Sequence, residues 1–178
     1  MLHDVAIIGG AGAGLTAAIY ASRKKLSTVL IAKQIGGQCL LTDDIENYPG
    51  FEKISGAELM DKIRKQAEKY GAEIQEGVVV ESIEKKDNYF LIKTKGGENE
   101  NIEAKAIIIA TGKNPRRLNV PGEKEFENKG VVFCSICDAP LFGGKDVVVA
   151  GGGNSGLHTA LDLMSYANNI HILEAGPK

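Results

Sequence analysis

Apolar positions along the chain follow two rhythms. Residues 4–8 (DVAII), 27–32 (STVLIA), 106–110 (AIIIA), 146–150 (DVVVA) and 170–174 (IHILE) are short, mostly apolar runs, the signature of buried parallel strands. After the first run Leu15, Ala18, Ile19 and Ser22 recur at helical spacing. Residues 4–32 therefore predict one β-α-β unit with a right-handed crossover. Leu59, Ile63, Ala67 and Tyr70 mark a second helix. A capping box, Ser55-Gly56-Ala57-Glu58, opens it, and Gly71 stands where it stops. Between residues 72 and 105 the rhythm changes to short strands, at 78–83 and 89–94, with a turn at Gly96-Gly97. A helix over 154–168 completes a second β-α-β unit spanning 146–174. Residues 33–56 read as a long loop and residues 113–130 as a connector.

Both β-α-β units carry glycines where strand gives way to helix. Such a turn needs one glycine for tight bending, one for close approach of backbone to pyrophosphate, and one for helix–strand packing. The helix N-terminus then offers free amides and a positive dipole end to the anion. Gly151-x-Gly153-x-x-Gly156, with Asn154 and Ser155 inside it, meets the pattern. The first loop, Gly9-Gly10-Ala11-Gly12-Ala13-Gly14, has a methyl group at the middle position. Ala11 is expected to hold the pyrophosphate slightly farther off or to force a small backbone shift. The competing reading of either loop is a glycine-rich turn in a parallel sheet. At the end of the last strand Glu174 places a carboxylate where an adenosine ribose 2′-hydroxyl would bind and a 2′-phosphate would be repelled. NADH is thus expected over NADPH, unless Glu174 is an ordinary surface acid. The corresponding place in the first unit holds Ala32-Lys33, with no acid.

Composition narrows the setting. With 178 residues, net charge −2 and 43% hydrophobic residues, the profile is that of a soluble globular protein. No basic stripe points to nucleic acid, and no apolar run approaches the roughly 20 residues that span a bilayer. The opening MLHDVAII enters a strand directly, without a signal-peptide pattern. A cytoplasmic location is expected, where structural disulfides are rare. Against that background FCSICD, residues 133–138, raises three readings: structural disulfide, zinc half-site or redox pair. Zinc lacks ligands, because Cys39, His3, His158 and His171 show no paired spacing. Cys134 and Cys137 sit close enough in a helical turn to bridge, and a helix start lowers a thiol pKa. Asp138 is placed to relay a proton to the thiolate released when the bridge opens, or else is a turn-capping aspartate. A redox disulfide between two nucleotide sites is the expected role.

Taken in order, GGAGAGLTAAIYASR, IGGQCLLTDDIENYPGF, AIIIATG, NVPGE and CSICDAPLFGGKDVVVAGGGNSG resemble the low-molecular-weight thioredoxin reductase family. The pattern is most similar to the flavoprotein subunit of alkyl hydroperoxide reductase. The resemblance implies an α/β fold: a Rossmann-like three-layer FAD-binding domain with an inserted β-meander over residues 1–115. The start of a second Rossmann-like NAD(P)-binding domain, carrying the CxxC pair, follows over 116–178. It implies FAD in the first unit, with Gly36, Gly37, Gln38 and Asn47 along the flavin and Thr111 and Gly112 beside it. It assigns Cys137 to face the flavin, Cys134 to attack the partner's disulfide, and Asp138 to donate the proton. Hydride would pass from nicotinamide to flavin and on to the disulfide, with NVPGE as the hinge. The partner would be a thioredoxin-like or peroxiredoxin-linked disulfide protein, and complete members form homodimers. Asp44 stands where a CxxxxC disulfide from Cys39 would need its second cysteine, so Cys39 is expected as a buried lone thiol. His158 replaces a glutamate common in the family and is expected in a core or surface role. The chain stops at Lys178, before the rest of the nicotinamide domain and a final flavin-touching segment. Two alternatives accompany this reading: a non-catalytic FAD- or nucleotide-binding fragment, and a flavin NADH oxidase or diaphorase that leaves the cysteines idle.

Overall fold

A computed structural model describes residues 1–97 and 99–176. The chain divides into two compact units, Met1–Asn114 and Pro115–Lys178.

In the first unit, strands β1 (Leu2–Gly10), β2 (Thr28–Ile35), β3 (Glu73–Glu76), β4 (Val79–Lys85), β5 (Phe90–Lys95) and β6 (Asn101–Ile109) form one sheet in the order β3-β2-β1-β6-β5-β4. The β3, β2, β1 and β6 neighbours pair parallel; β6–β5 and β5–β4 pair antiparallel. Helices α1 (Gly12–Arg23) and α2 (Gly56–Lys69) follow β1 and precede β3. Alternation along β1 splits the core into two layers, because successive strand residues face opposite sides. Val5 and Ile7 join Leu15, Ala18, Ile19, Leu59 and Met60 on the helical side. Ala6, Val29 and Ile31 pack instead with Val78, Ile92, Ile102 and Ala104 of the antiparallel part. The result is three layers: helices, parallel sheet and meander.

Several boundaries differ from the sequence expectation. Residues 33–35 continue β2, and Gly37–Leu41 is a short 3-10 helix, so the long loop is shorter than 33–56. Ile45 and Ile54 exchange backbone hydrogen bonds of 2.8 and 3.0 Å and pinch off what remains. The capping box is half formed. Ser55 Oγ accepts from the Glu58 amide at 3.2 Å, while the Glu58 carboxylate pairs with Lys62 one turn on. The run 106–110 is the second half of a longer strand, β6. Only residues 101–104 of β6 pair with β5, so the apolar end has a free edge and Ile109 is 69% exposed.

The second unit holds α3 (Ser135–Asp138), β7 (Asp146–Ala150), α4 (Asn154–Leu163) and β8 (Asn169–Leu173), with β7 and β8 paired in parallel. The helix expected over 154–168 ends at Leu163. Turn hydrogen bonds from Met164 to Leu161 and from Tyr166 to Leu163 tighten its last carbonyls, and the Gly144 amide donates to Tyr166 O at 2.8 Å. Ala139, Val149 and Leu163 form this unit's small core. No helix among the described residues is long and apolar enough to cross a membrane.

Candidate active site

The strand order reverses direction between β1 and β6, and open α/β sheets bind ligands at such a point, outside the carboxyl ends of the strands. The first glycine loop lies there. Gly9 takes φ 120°, and a side chain on it would strike the carbonyl oxygen of Ala110, just before Thr111. The Gly36 amide donates to Gly10 O at 2.9 Å, tying the 36–38 turn to the loop. Gln38 Nε2 donates to Lys113 O at 2.6 Å, tying the same turn to the segment after β6. Residues 9–14, 36–38 and 111–112 therefore converge. Asn47 lies on the exposed loop between Ile45 and Ile54 and, among the described residues, makes no hydrogen bond to this cluster.

The middle position of the loop resolves without strain. Ala11 is the N-cap of α1 with φ −106° and ψ −166°, extended backbone open to any residue, so its methyl forces no backbone shift. That methyl leans toward the 36–38 turn, 3.0 Å from where a Cβ on Gly37 would be. A Cβ on Gly12 or Gly112 would meet nothing within 4 Å, which leaves the approach to the loop clear.

The second loop repeats the first. Gly151 has φ 114°, Gly153 is the N-cap of α4, and a side chain on Gly156 would strike Gly151 O, as one on Gly14 would strike Gly9 O. Asn154 and Ser155 open α4 and are exposed. Neither α1 nor α4 has a side-chain cap, and first-turn amides have no partner within a helix. Each loop thus presents first-turn N–H donors, which fits a pyrophosphate group, although in the second loop the Gly152 amide is taken by Glu174. Glu174 follows β8 and folds over the second loop. Its Oε1 accepts from the Gly176 amide at 2.9 Å and its Oε2 from the Gly152 amide at 2.6 Å. These two amides hold its carboxyl below the usual carboxylate range.

Cys134 and Cys137 are disulfide-bonded, with Cα atoms 5.4 Å apart. Cys134 is the N-cap of α3, and Cys137 and Asp138 complete its single turn. Cys137 is exposed, whereas Cys134 and Asp138 are half-buried. Burial lifts the Asp138 carboxyl above its ordinary range, against the lowering effect of a backbone hydrogen bond at Cys134. A carboxyl so raised keeps its proton to higher pH than an exposed aspartate, which suits an acid beside a thiolate.

Some of this architecture has no sequence signature. The Glu123 carboxylate, 5% exposed, accepts from the amides of Leu118 and Asn119 at 3.0 and 2.8 Å and folds NVPGE onto itself. Arg117 makes a two-pronged pair with Glu127, 2.9 and 2.8 Å, and lies 4.7 Å over the Phe133 ring, next to Cys134. Ser135 Oγ donates to Asp162 Oδ2 at 2.7 Å. Cys39 is free and half-buried rather than buried, packed against the helical-side core. His158 is exposed on α4, the surface alternative of the two expected for it.

Residues 3–178 match the family model described as pyridine nucleotide-disulphide oxidoreductase. The chain is 43% identical to thioredoxin reductase of Bacillus subtilis over 178 residues, covering 99% of this chain and 55% of that protein. It is 41% identical to the alkyl hydroperoxide reductase F protein of Staphylococcus aureus, covering 97% of this chain and 34% of that protein. Among solved structures, thioredoxin reductase from Giardia duodenalis superposes with a TM-score of 0.88 at 42% identity, over 96% of this chain and 55% of that one. The chain spans about half the length of the thioredoxin reductases it matches. Family model, relatives and topology agree: the chain belongs to the pyridine nucleotide-disulphide oxidoreductase family.

Proposed function

We propose that the chain is the N-terminal part of an FAD-containing disulfide reductase driven by NADH, with NADPH less favoured. The observation that carries the reading is a disulfide set in a helical turn of the same small unit that holds a glycine loop. When bound, FAD and NADH supply two-electron transfer. The first loop, residues 9–14, would hold the FAD pyrophosphate, with Gly36, Gly37, Gln38, Asn47, Thr111 and Gly112 along the cofactor. Residues 151–156 would hold the nicotinamide nucleotide, and Glu174 would accept the adenosine ribose 2′-hydroxyl, its charge repelling a 2′-phosphate. We assign residues 1–115 to the FAD-binding domain and 116–178 to part of the nicotinamide domain. Because Glu123 and Arg117 tie residues 117–127 together, bending at the connector would fall on the residues before them.

Reduction of Cys134–Cys137 takes up two electrons and two protons and yields two thiols. Cys137 is assigned to the flavin side. Cys134, as thiolate, attacks the disulfide of a thioredoxin-like or peroxiredoxin-linked protein, forming a mixed disulfide and releasing one partner thiolate. Cys137 then attacks Cys134, re-forming the internal bond and freeing the second partner thiolate. Asp138 gives a proton to the thiolate as the internal bond opens. The full-length protein is read as a cytoplasmic homodimer, on the resemblance to complete members.

Two outcomes follow. The Cys134→Ala/Cys137→Ala double variant is expected to lose disulfide reduction and keep NADH-dependent dye reduction. An unmutated chain that reduces dye with NADH but no disulfide would support the idle-cysteine oxidase reading. An inert unmutated chain would establish the fragment reading. Asp138→Asn is expected to slow disulfide turnover about a hundredfold, within the usual range for a positioned acid. The raised carboxyl sets the sign of the pH effect. Wild-type turnover should fall as pH rises past the Asp138 pKa, and the variant's pH–rate profile should lack that limb. An unchanged profile removes Asp138 from the mechanism.

A further inference from the structure

The helix that carries the disulfide, α3, is four residues long. A turn that short is unstable alone, because nucleating it costs more than its one hydrogen bond returns. Its geometry must be imposed from outside. On one side Ala139, directly after Asp138, is buried in the small core with Val149 and Leu163. On the other, Ser135, between the two cysteines, donates its hydroxyl to the carboxylate of Asp162 at 2.7 Å. Both residues are half-buried, and Asp162 stands on α4 directly before Leu163. The packing and the hydrogen bond both tie the redox turn to the helix that rises from the second glycine loop.

We infer that Asp162 is a positioning residue for the disulfide: through Ser135 it holds α3 in the conformation that brings the two sulfurs together. The inference rests on the redox role proposed above. Its consequence is thermodynamic. In exchange with glutathione, the Cys134–Cys137 bond breaks, two S–H groups form in the chain, and two glutathione thiols become one glutathione disulfide. How strongly the internal bond is favoured depends on how often the reduced chain brings its sulfurs into contact. A pinned turn raises that effective concentration, and a loosened turn lowers it. Asp162 touches no reacting atom, so it is not itself catalytic.

The test is the glutathione exchange equilibrium of the whole chain, read by acid quenching and thiol alkylation, in four variants. Ser135→Ala and Asp162→Ala are each expected to lower the effective concentration of the pair about fivefold, the scale of one ordinary intramolecular hydrogen bond in a half-buried setting. Ser135→Ala/Asp162→Ala should fall no further than either single change, because both remove the same bond. Ser135→Thr, which keeps the hydroxyl, should stay at the wild-type value. Thermal melts of the same proteins separate this shift from general loss of fold, since a remote structural role would lower the melting temperature and leave the exchange equilibrium of the folded chain in place. Single variants within twofold of wild type, or additive effects in the double variant, overturn the positioning role alone. A wild-type disulfide that does not exchange with glutathione overturns the redox reading, and the positioning role falls with it.

Discussion

Gly9→Ala is expected to destabilise the first unit by about 2–5 kcal/mol, a combination of backbone strain and overpacking. Two separate penalties meet at this residue. Its φ of 120° lies where an L side chain is strained, and the added methyl would run into the carbonyl oxygen of Ala110. Neither can relax cheaply. Gly9 belongs to β1, which pairs on both sides, and Ala110 is fixed by its own amide, which donates to Ile8 O at 2.8 Å. Against a typical total stability of about 5–15 kcal/mol the loss is large, and it should lower the melting temperature by at least about 10 °C. Gly153→Ala is the matched contrast. That glycine has φ −78° with nothing within 4 Å of an added Cβ, so the fold should melt within about 2 °C of wild type. The methyl would instead crowd an approaching phosphate and weaken NADH binding about tenfold, or about 1.4 kcal/mol. Unchanged NADH affinity in Gly153→Ala would show that the second loop is a structural turn and no more.

On the proposed mechanism, changing Cys137 to serine should leave Cys134 as a trap for a partner's disulfide. With Cys134 alone, attack on a partner's disulfide forms a mixed disulfide that no internal thiol can resolve. Turnover should fall to background, and a covalent adduct with a CxxC-bearing partner should persist on a non-reducing gel and vanish with dithiothreitol. Cys134→Ser should be equally inactive yet form no adduct. The contrast is informative because exposure alone favours the reverse assignment: Cys137 is exposed and Cys134 half-buried. An adduct formed only by Cys134→Ser would exchange the two roles. Turnover retained in either variant would remove the disulfide from the pathway.

The parts legible in the sequence are those encoded locally. Two glycine loops, each between an apolar run and a helical pattern, fold as read, because a tight turn and a close helix–strand approach leave few residue choices. The cysteine pair at i and i+3 closes within one turn for the same reason. What stays hidden depends on partners far along the chain. The N-terminal half of β6 carries Glu103 and Lys105 among apolar residues, so its continuity with AIIIA shows only once β1 and β5 pair with it. The helix after the second loop stops at Leu163 although apolar spacing continues, and Tyr166 O is instead taken by the Gly144 amide. Ser135–Asp162 and the Glu123 latch join side chains whose spacing carries no periodic signal. Ala11, by contrast, reads in the sequence as a defect in the motif. The N-cap conformation it occupies accepts any residue, so the backbone shift that its methyl could have forced does not arise.

The central claim is that electrons from NADH reach Cys134 and Cys137, and a thiol count tests it most directly. The chain has three cysteines, of which Cys39 is free. The chain, incubated with FAD and freed of excess, would be mixed anaerobically with NADH, quenched, and titrated for thiols under denaturing conditions. The expected count rises from one thiol per chain to three. A count that stays at one after NADH is consumed would contradict the claim, because the electrons would then have bypassed the disulfide.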